Sequence, residues 1–273
     1  METLAIGAAA MPVIGLGTWQ LEGAACERVI ACALELGYRH IDTAERYGNE
    51  AAIGRALRAS GLARPALFLT TKVWMNNLAG ARIGPAVEAS LDRLQTDHVD
   101  LLLIHWPEPA VPLGETLEAM MRLKEAGRTR AIGVSNFPVR LMREAVETVG
   151  APIACNQIEY HVHLGQAPVL DYARAHGIAV TAYSPLAKGR VREDPVLAGI
   201  GRKYGKNPGQ VALRWLVQQA GVAAIPKASS PENLAANLAL FDFALDAADL
   251  AAIAGLDHRR RLTQLPWAPE WDG

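Results

Sequence analysis

From residue 13 onward the chain alternates short apolar runs with stretches of helical period. The runs are VIGLGT (13–18), RHIDTA (39–44), LFLTTKVW (67–74), VDLLLIHW (99–106), TRAIGVS (129–135), IACNQIEY (153–160), IAVTAYS (178–184) and VAAIP (222–226). Short, apolar and bounded by turn residues, they suit parallel strands covered on both faces. Between them, Met142, Ala145, Val146 and Val149 share one helical face. Val87, Leu91 and Leu94 do the same on a helix that Pro85 is expected to open. Pro138 follows Ser135-Asn136-Phe137, as where a strand end turns into a proline-started helix. Gly37, Gly127, Gly150 and Gly177 each close a helical stretch, where a left-handed residue lets a helix stop.

Eight strand–helix units with no linker predict a closed (β/α)8 TIM barrel, one α/β domain over residues 1–273. Residues before the first barrel strand, turning near Gly7 to Ala10, predict a small hairpin that plugs the barrel floor, and a short tail ends the chain. The alternative is an open, doubly wound sheet. Its dinucleotide turn would read G-x-G-x-x-G, whereas Gly15-Leu16-Gly17-Thr18-Trp19 runs on to Gln20. The stretch from Gly201 to Gly205-Lys206 is one residue short of a phosphate-cradling loop.

Composition changes this picture little. With 273 residues, 51% of them hydrophobic, the chain can bury a barrel-sized core. A formal net charge of −1 and the lack of a basic tail argue against nucleic acid or a membrane surface as partner. The run Arg259 to Arg261 is too short to alter that. Cys26, Cys32 and Cys155 are odd in number and form no C-x-x-C, which suits small buried thiols in a reducing compartment. Glu2 stands where a signal peptide wants positive charge, and no apolar stretch is of membrane length. A cytoplasmic monomer is expected.

In a barrel, chemistry collects where strands end. Asp42 ends the second predicted strand, Lys72 lies near the end of the third, His105 ends the fourth, and Tyr47 sits on the loop after the second. Each alone is more often structural: a helix cap, a snorkelling lysine, a satisfied histidine. On consecutive strand ends they make a proton-donating constellation. A tyrosine is a poor acid, with a reference pKa of about 10. An ammonium ~4 Å away, at an effective dielectric of ~20, is worth at most about 4 kcal/mol to the phenolate. The expectation is that Lys72 lowers the Tyr47 pKa, that Asp42 keeps Lys72 charged and aimed, and that His105 donates a hydrogen bond to a substrate carbonyl.

IDTAERYGNE is similar to the D-T-A-x-x-Y-x-N-E segment of the aldo-keto reductases. TTKVW, LLLIHWP, IGVSNF, NQIEYH and AYSPLA follow in that family's order, so the resemblance spans nearly the whole chain. It implies a (β/α)8 barrel that binds NADPH without a Rossmann motif, NADH remaining possible. It implies Asp42, Tyr47, Lys72 and His105 as catalytic residues, with Tyr47 as general acid reducing a small carbonyl. It implies Thr18, Ser135, Asn136, Gln157, Tyr183, Lys227, Ser229 and Asn237 as cofactor contacts. Ser135, Asn136 and Gln157 would hold the nicotinamide carboxamide, and Tyr183 would stack under its ring. Trp19, Trp74 and Trp106 would line the substrate mouth.

The adenosine end departs from the family. Where members often read I-P-K-S-x-x-x-x-R-I-x-E-N, this chain reads IPKASSPENLAAN. Lys227 and Asn237 are kept, but Ala228, Asn233 and Ala236 replace the serine, arginine and glutamate. Loss of a bidentate phosphate partner predicts weaker discrimination against NADH. Arg46 is a candidate to meet a substrate carboxylate, weighed against an ordinary solvated loop arginine. Two other readings stand beside reduction. One is a non-catalytic NADP-binding barrel of the kind that regulates potassium channels, which carry extra N-terminal segments. The other is a metal-dependent hydrolase using His161-x-His163; without a second metal-type cluster, no metal is expected.

Overall fold

The computed structural model describes residues 2–7 and 9–272. Strands β1 (Thr3–Ile6) and β2 (Ala9–Pro12) pair antiparallel as the predicted hairpin, Ile6 opposite Ala9. Its turn residue Ala8 lies outside the described residues. Then come β3 (Leu16–Gly17), β4 (His40–Asp42), β5 (Phe68–Val73), β6 (Val99–Ile104), β7 (Thr129–Ser135), β8 (Ile153–Glu159), β9 (Ala179–Tyr183) and β10 (Val222–Ala224). These eight run parallel, each beside its neighbour in sequence. Hydrogen bonds join the two ends of the row: Gly15 N to Ala224 O at 2.9 Å, Ala224 N to Val13 O at 2.8 Å, and Gly17 N to Pro226 O at 3.2 Å. The sheet therefore closes on itself, as a barrel requires.

The first barrel strand is shorter than the predicted 13–18. It breaks at Gly15, where the His40 ring fills the space of a side chain: a Cβ there would lie 2.6 Å from Nδ1. At the seam a Cβ on Gly17 would lie 2.6 Å from the Ile225 carbonyl oxygen, so this close approach needs glycine.

The helices are α1 (Gly23–Glu35), α2 (Glu50–Ala59), α3 (Gly80–Leu94), α4 (Leu113–Glu125), α5 (Val139–Arg143), α6 (Ala167–Ala175), α7 (Pro195–Tyr204), α8 (Pro208–Val217), α9 (Pro231–Leu238) and α10 (Ala247–Ala254). Their apolar faces and the outer face of the sheet form the main core. A second core fills the barrel. There Ile6 and Met11 of the hairpin meet Phe68, Leu101, Leu103, Ala131, Cys155, Ala179 and Ala223, which closes the floor. Gly37, Gly127, Gly150 and Gly177 take φ of 103°, 73°, 73° and 65°, the left-handed stops expected of them.

Two helix expectations need correction. Pro85 does not open its helix but lies inside α3, which starts at Gly80 because Glu115 Oε1 accepts the Gly80 N–H at 2.7 Å. Pro85 and Ala81 are both exposed, so the carbonyl left without an N–H partner faces water, which lowers the cost of the proline. The Met142–Val149 face is not one regular helix: α5 widens into a π-turn over Glu144–Thr148. Met142 and Ala145 are buried and Val146 only half so. Among the described residues no helix is long and apolar enough to cross a membrane.

Gly17→Ala should force the seam apart at a backbone oxygen that cannot swing aside. Urea unfolding should show a loss of about 1–3 kcal/mol; an unchanged midpoint would mean that the closure is soft.

Candidate active site

A cavity of about 810 Å³ opens at the C-terminal ends of the strands. Asp42 is the last residue of β4, Lys72 lies one from the end of β5, and His105 follows β6. Tyr47 ends the short 3-10 turn Glu45–Tyr47 that leaves β4. Asp42, Tyr47 and His105 line the cavity, with Lys72 directly behind them.

Lys72 organises the site. Its side chain is 1% exposed, and Nζ has three hydrogens and three acceptors: Asp42 Oδ1 at 2.5 Å, Thr43 O at 2.8 Å and the Tyr47 hydroxyl at 3.4 Å. Burial alone pulls the Lys72 pKa down, but Asp42 and then Tyr47 outweigh it and hold the ammonium above its ordinary value. Asp42 is fixed in turn. Its Oδ2 accepts from Gln157 Nε2 at 2.7 Å, and its backbone oxygen accepts from Thr18 N at 3.1 Å and Thr18 Oγ1 at 2.9 Å.

The direction expected for Tyr47 is reversed. Burial of the hydroxyl end pushes its pKa above 10.0; Lys72 pulls it back but does not win. The carboxylate of Asp42, in contact with the same ammonium, cancels much of its field and itself raises the phenol. Tyr47 is therefore a proton held in place at neutral pH, not an unusually acidic phenol. Tyr47 is half-buried and lines the cavity. His105 is held well below 6.5 by burial, and then by the charges of Lys72 and Arg46. Its Nδ1 is buried without a partner. Placing the one proton on Nε2 leaves Nδ1 as a bare acceptor, which avoids a buried unpaired N–H. The result is a neutral imidazole, with its one N–H on Nε2, in the wall of the cavity.

A second network floors the cavity. Tyr183 Oη donates to Asn136 Oδ1 at 2.8 Å. Asn136 Nδ2 donates to His105 O and to Ser135 Oγ, both at 3.0 Å, and Ser135 Oγ donates to Gln157 O at 2.8 Å. Asn136 sits at φ 64°, a left-handed conformation that asparagine tolerates. Both its N–H groups are used within the protein. Gln157 differs: Nε2 must face Asp42, which only accepts, but its second N–H and its Oε1 have no protein partner among the described residues. Of the three side chains expected to meet a carboxamide, Gln157 has a matching donor and acceptor to offer.

The tryptophans divide. Trp19, 52% exposed, tilts against Tyr47 at 4.9 Å, and Trp74 meets the His105 edge at 5.1 Å. Trp106 lines the cavity but is buried against Trp271 at 6.1 Å. Lys227 borders the cavity and is exposed. Ser229 is exposed and does not border it. Asn237 is buried and does not border it either. His161 and His163 spend their imidazoles locally, on Glu159 at 3.1 Å and on Asp194 at 3.3 Å.

Sequence reasoning missed two walls. The loop after β9 brings Lys188 and Arg192 to the cavity, with Ser184, Ala187 and Lys188 all at positive φ. The C-terminal tail brings Thr263, Leu265 and Trp267. Glu159 holds that tail: fully buried, it accepts Leu262 N at 2.6 Å and Thr263 N at 2.9 Å. The motifs AYSPLA and NQIEYH marked both places without giving these roles.

Comparison with known proteins bears on the family and the fold. The aldo/keto reductase family profile matches residues 13–258. The methylglyoxal reductase DkgB of Salmonella typhi is 46% identical over 266 residues, 96% of this chain and 99% of that one. A crystal structure of a protein provisionally assigned as 2,5-diketo-D-gluconic acid reductase B superposes with a TM-score of 0.97 at 45% identity, covering 100% of this chain and 98% of the other. The aldose reductase of Schistosoma japonicum superposes with a TM-score of 0.92 at 32% identity, covering 97% and 95%.

His40, bonded to Pro12 O and Thr70 Oγ1, is like His105 held below 6.5, first by burial. Below pH 6.5 the unfolded chain binds protons that both folded histidines refuse. Their contribution is therefore complete above pH 6.5 and is lost as pH falls towards the folded values. The urea midpoint should drop between pH 7.5 and 5.5, less steeply in His105→Asn; a flat profile contradicts the burial of these rings.

Proposed function

The chain belongs to the aldo/keto reductase family, an oxidoreductase that acts on carbonyl compounds, and from that premise we propose that it reduces small aldehydes and ketones to alcohols with NADPH, Tyr47 being the proton donor. The observation that carries this reading is the buried ammonium of Lys72, 2.5 Å from Asp42 and 3.4 Å from the Tyr47 hydroxyl.

The residues present fit a nicotinamide dinucleotide. Lys188, Arg192 and Lys227 give the cavity cations for phosphates, and Gln157 has an amide pair free for a carboxamide. The half-buried ring of Tyr183 is pinned by its hydroxyl and lines the same floor. The bound dinucleotide would supply the hydride to the carbonyl carbon. Neutral His105 orients the carbonyl oxygen. As that oxygen gains negative charge, Tyr47 gives it a proton and becomes a phenolate. Lys72, already charged and in contact, stabilises the phenolate by up to about 4 kcal/mol at an effective dielectric of ~20. Asp42 keeps the ammonium from turning away or losing its proton. The raised pKa of the resting phenol is suited to this sequence, since the proton is present before charge develops on the substrate.

The substrates named for relatives, methylglyoxal and 2,5-diketo-D-gluconic acid, set the class we propose here. We also read a cytoplasmic monomer. Four large apolar side chains are strongly exposed among the described residues, and two of them, Trp19 and Trp267, border the cavity rather than a separate patch.

Nicotinamide absorbance with purified protein, methylglyoxal and either NADPH or NADH tests the reading. Tyr47→Phe should lose turnover by about 10²-fold or more while still binding NADPH; full turnover in that variant removes Tyr47 from its role. Lys227→Ala should raise the KM for NADPH more than that for NADH, and an unchanged NADPH KM refutes the phosphate assignment.

A further inference from the structure

Beside the proposed phosphate cations, the cavity holds one more positive charge among the described residues. Arg46 sits between Asp42 and Tyr47 on the turn Glu45–Tyr47, and its guanidinium lies over the Trp74 ring, 5.5 Å from the centroid. Trp74 in turn meets the His105 ring at 5.1 Å. The cation is thus two short contacts from the imidazole that orients the carbonyl, close enough to depress that imidazole's pKa.

Arg46 carries a charge that the described side chains leave without a direct ion-pair partner. The carboxylate of its neighbour Glu45 is engaged by Trp74 N at 3.0 Å and by the Asn77 amide. No ion pair involves Arg46 among the described residues. Among the described residues the one acid that lines the cavity, Asp42, is committed to Lys72 and Gln157. Stacking on Trp74 limits the freedom of the guanidinium, so less is lost when it binds an anion.

Resting on the function proposed above, we infer that Arg46 is a carboxylate subsite, so that the preferred substrates are carbonyl compounds bearing a carboxylate a few carbons from the reacting carbon. The reach fits. A carbonyl held by His105 and a carboxylate three or four bonds away are separated by about 5 Å. Adding hydrogen-bond lengths of about 2.9 Å at each end gives a reach of about 11 Å, and the contacts of 5.1 Å and 5.5 Å through Trp74 keep the His105 ring and the guanidinium within that reach. A neutral aldehyde gains nothing from this contact. Arg46 therefore sets the choice between neutral and anionic carbonyls, while Tyr47 and His105 serve both.

A matched pair of substrates tests this: 4-oxobutanoate and butanal, equal in chain length and differing by the carboxylate. The wild type should favour 4-oxobutanoate in kcat/KM. In Arg46→Gln the ratio of the two kcat/KM values should fall at least ten-fold, mainly through KM for the anion, and Arg46→Lys should recover part of it. Added salt should shrink the wild-type ratio and leave that of Arg46→Gln nearly flat. A ratio unchanged in Arg46→Gln overturns the subsite and leaves the reductase intact. A wild type that reduces neither aldehyde, nor methylglyoxal, with either dinucleotide overturns the proposed function and the subsite with it.

Discussion

A lysine ammonium with 1% of its side chain exposed is the constraint around which this barrel is arranged. Taking such a charge out of water costs several kcal/mol unless every hydrogen finds an acceptor. Here the acceptors come from the end of one neighbouring strand and the turn beyond it: Asp42, the Thr43 carbonyl and Tyr47. They can meet Lys72 only because β4 and β5 lie parallel in register, with Asp42 opposite Thr70. The order of the barrel thus fixes the site. The carboxylate that stabilises the ammonium is in turn tied across the barrel to Gln157 of β8.

The same constraint explains the acid. Charge identities alone suggest that Lys72 should make Tyr47 more acidic. Depth reverses the outcome, because burial penalises the phenolate and Asp42 offsets the ammonium. In the proposed reaction a donor in this position keeps its proton until the substrate oxygen becomes basic, and the ammonium then acts on the product phenolate. On that proposal the Lys72 charge matters in the transition state more than in the resting enzyme, which is where stabilisation accelerates a reaction.

The parts of this arrangement visible in the sequence were those carried by residue type at the end of an apolar run. Asp42, Lys72 and His105 stand out because polar groups interrupt otherwise continuous strands, and the glycine stops stand out because few other residues turn left-handed there. What stayed hidden depends on distance through space. Gln157 reads as a ligand contact, yet it also holds Asp42, 115 positions away. Glu159 reads as part of a motif, yet it grips a tail more than a hundred residues on, at Leu262 and Thr263. Asn237 matches a cofactor motif, and its burial away from the cavity lining is a matter of packing that the motif does not state. Pro85 misled because a proline on an exposed helix face costs less than one against the core. The sign of the Tyr47 shift was out of reach because a sequence names charges without saying how much water reaches them.

The most direct test of the account is a double-mutant cycle on turnover with Lys72→Met and Tyr47→Phe, each variant checked for cofactor binding. If the ammonium acts through the phenol, the double variant should be hardly slower than the worse single variant, because one unit has been removed twice. Losses that multiply would show that Lys72 and Tyr47 act independently, and would contradict the coupling on which the mechanism rests.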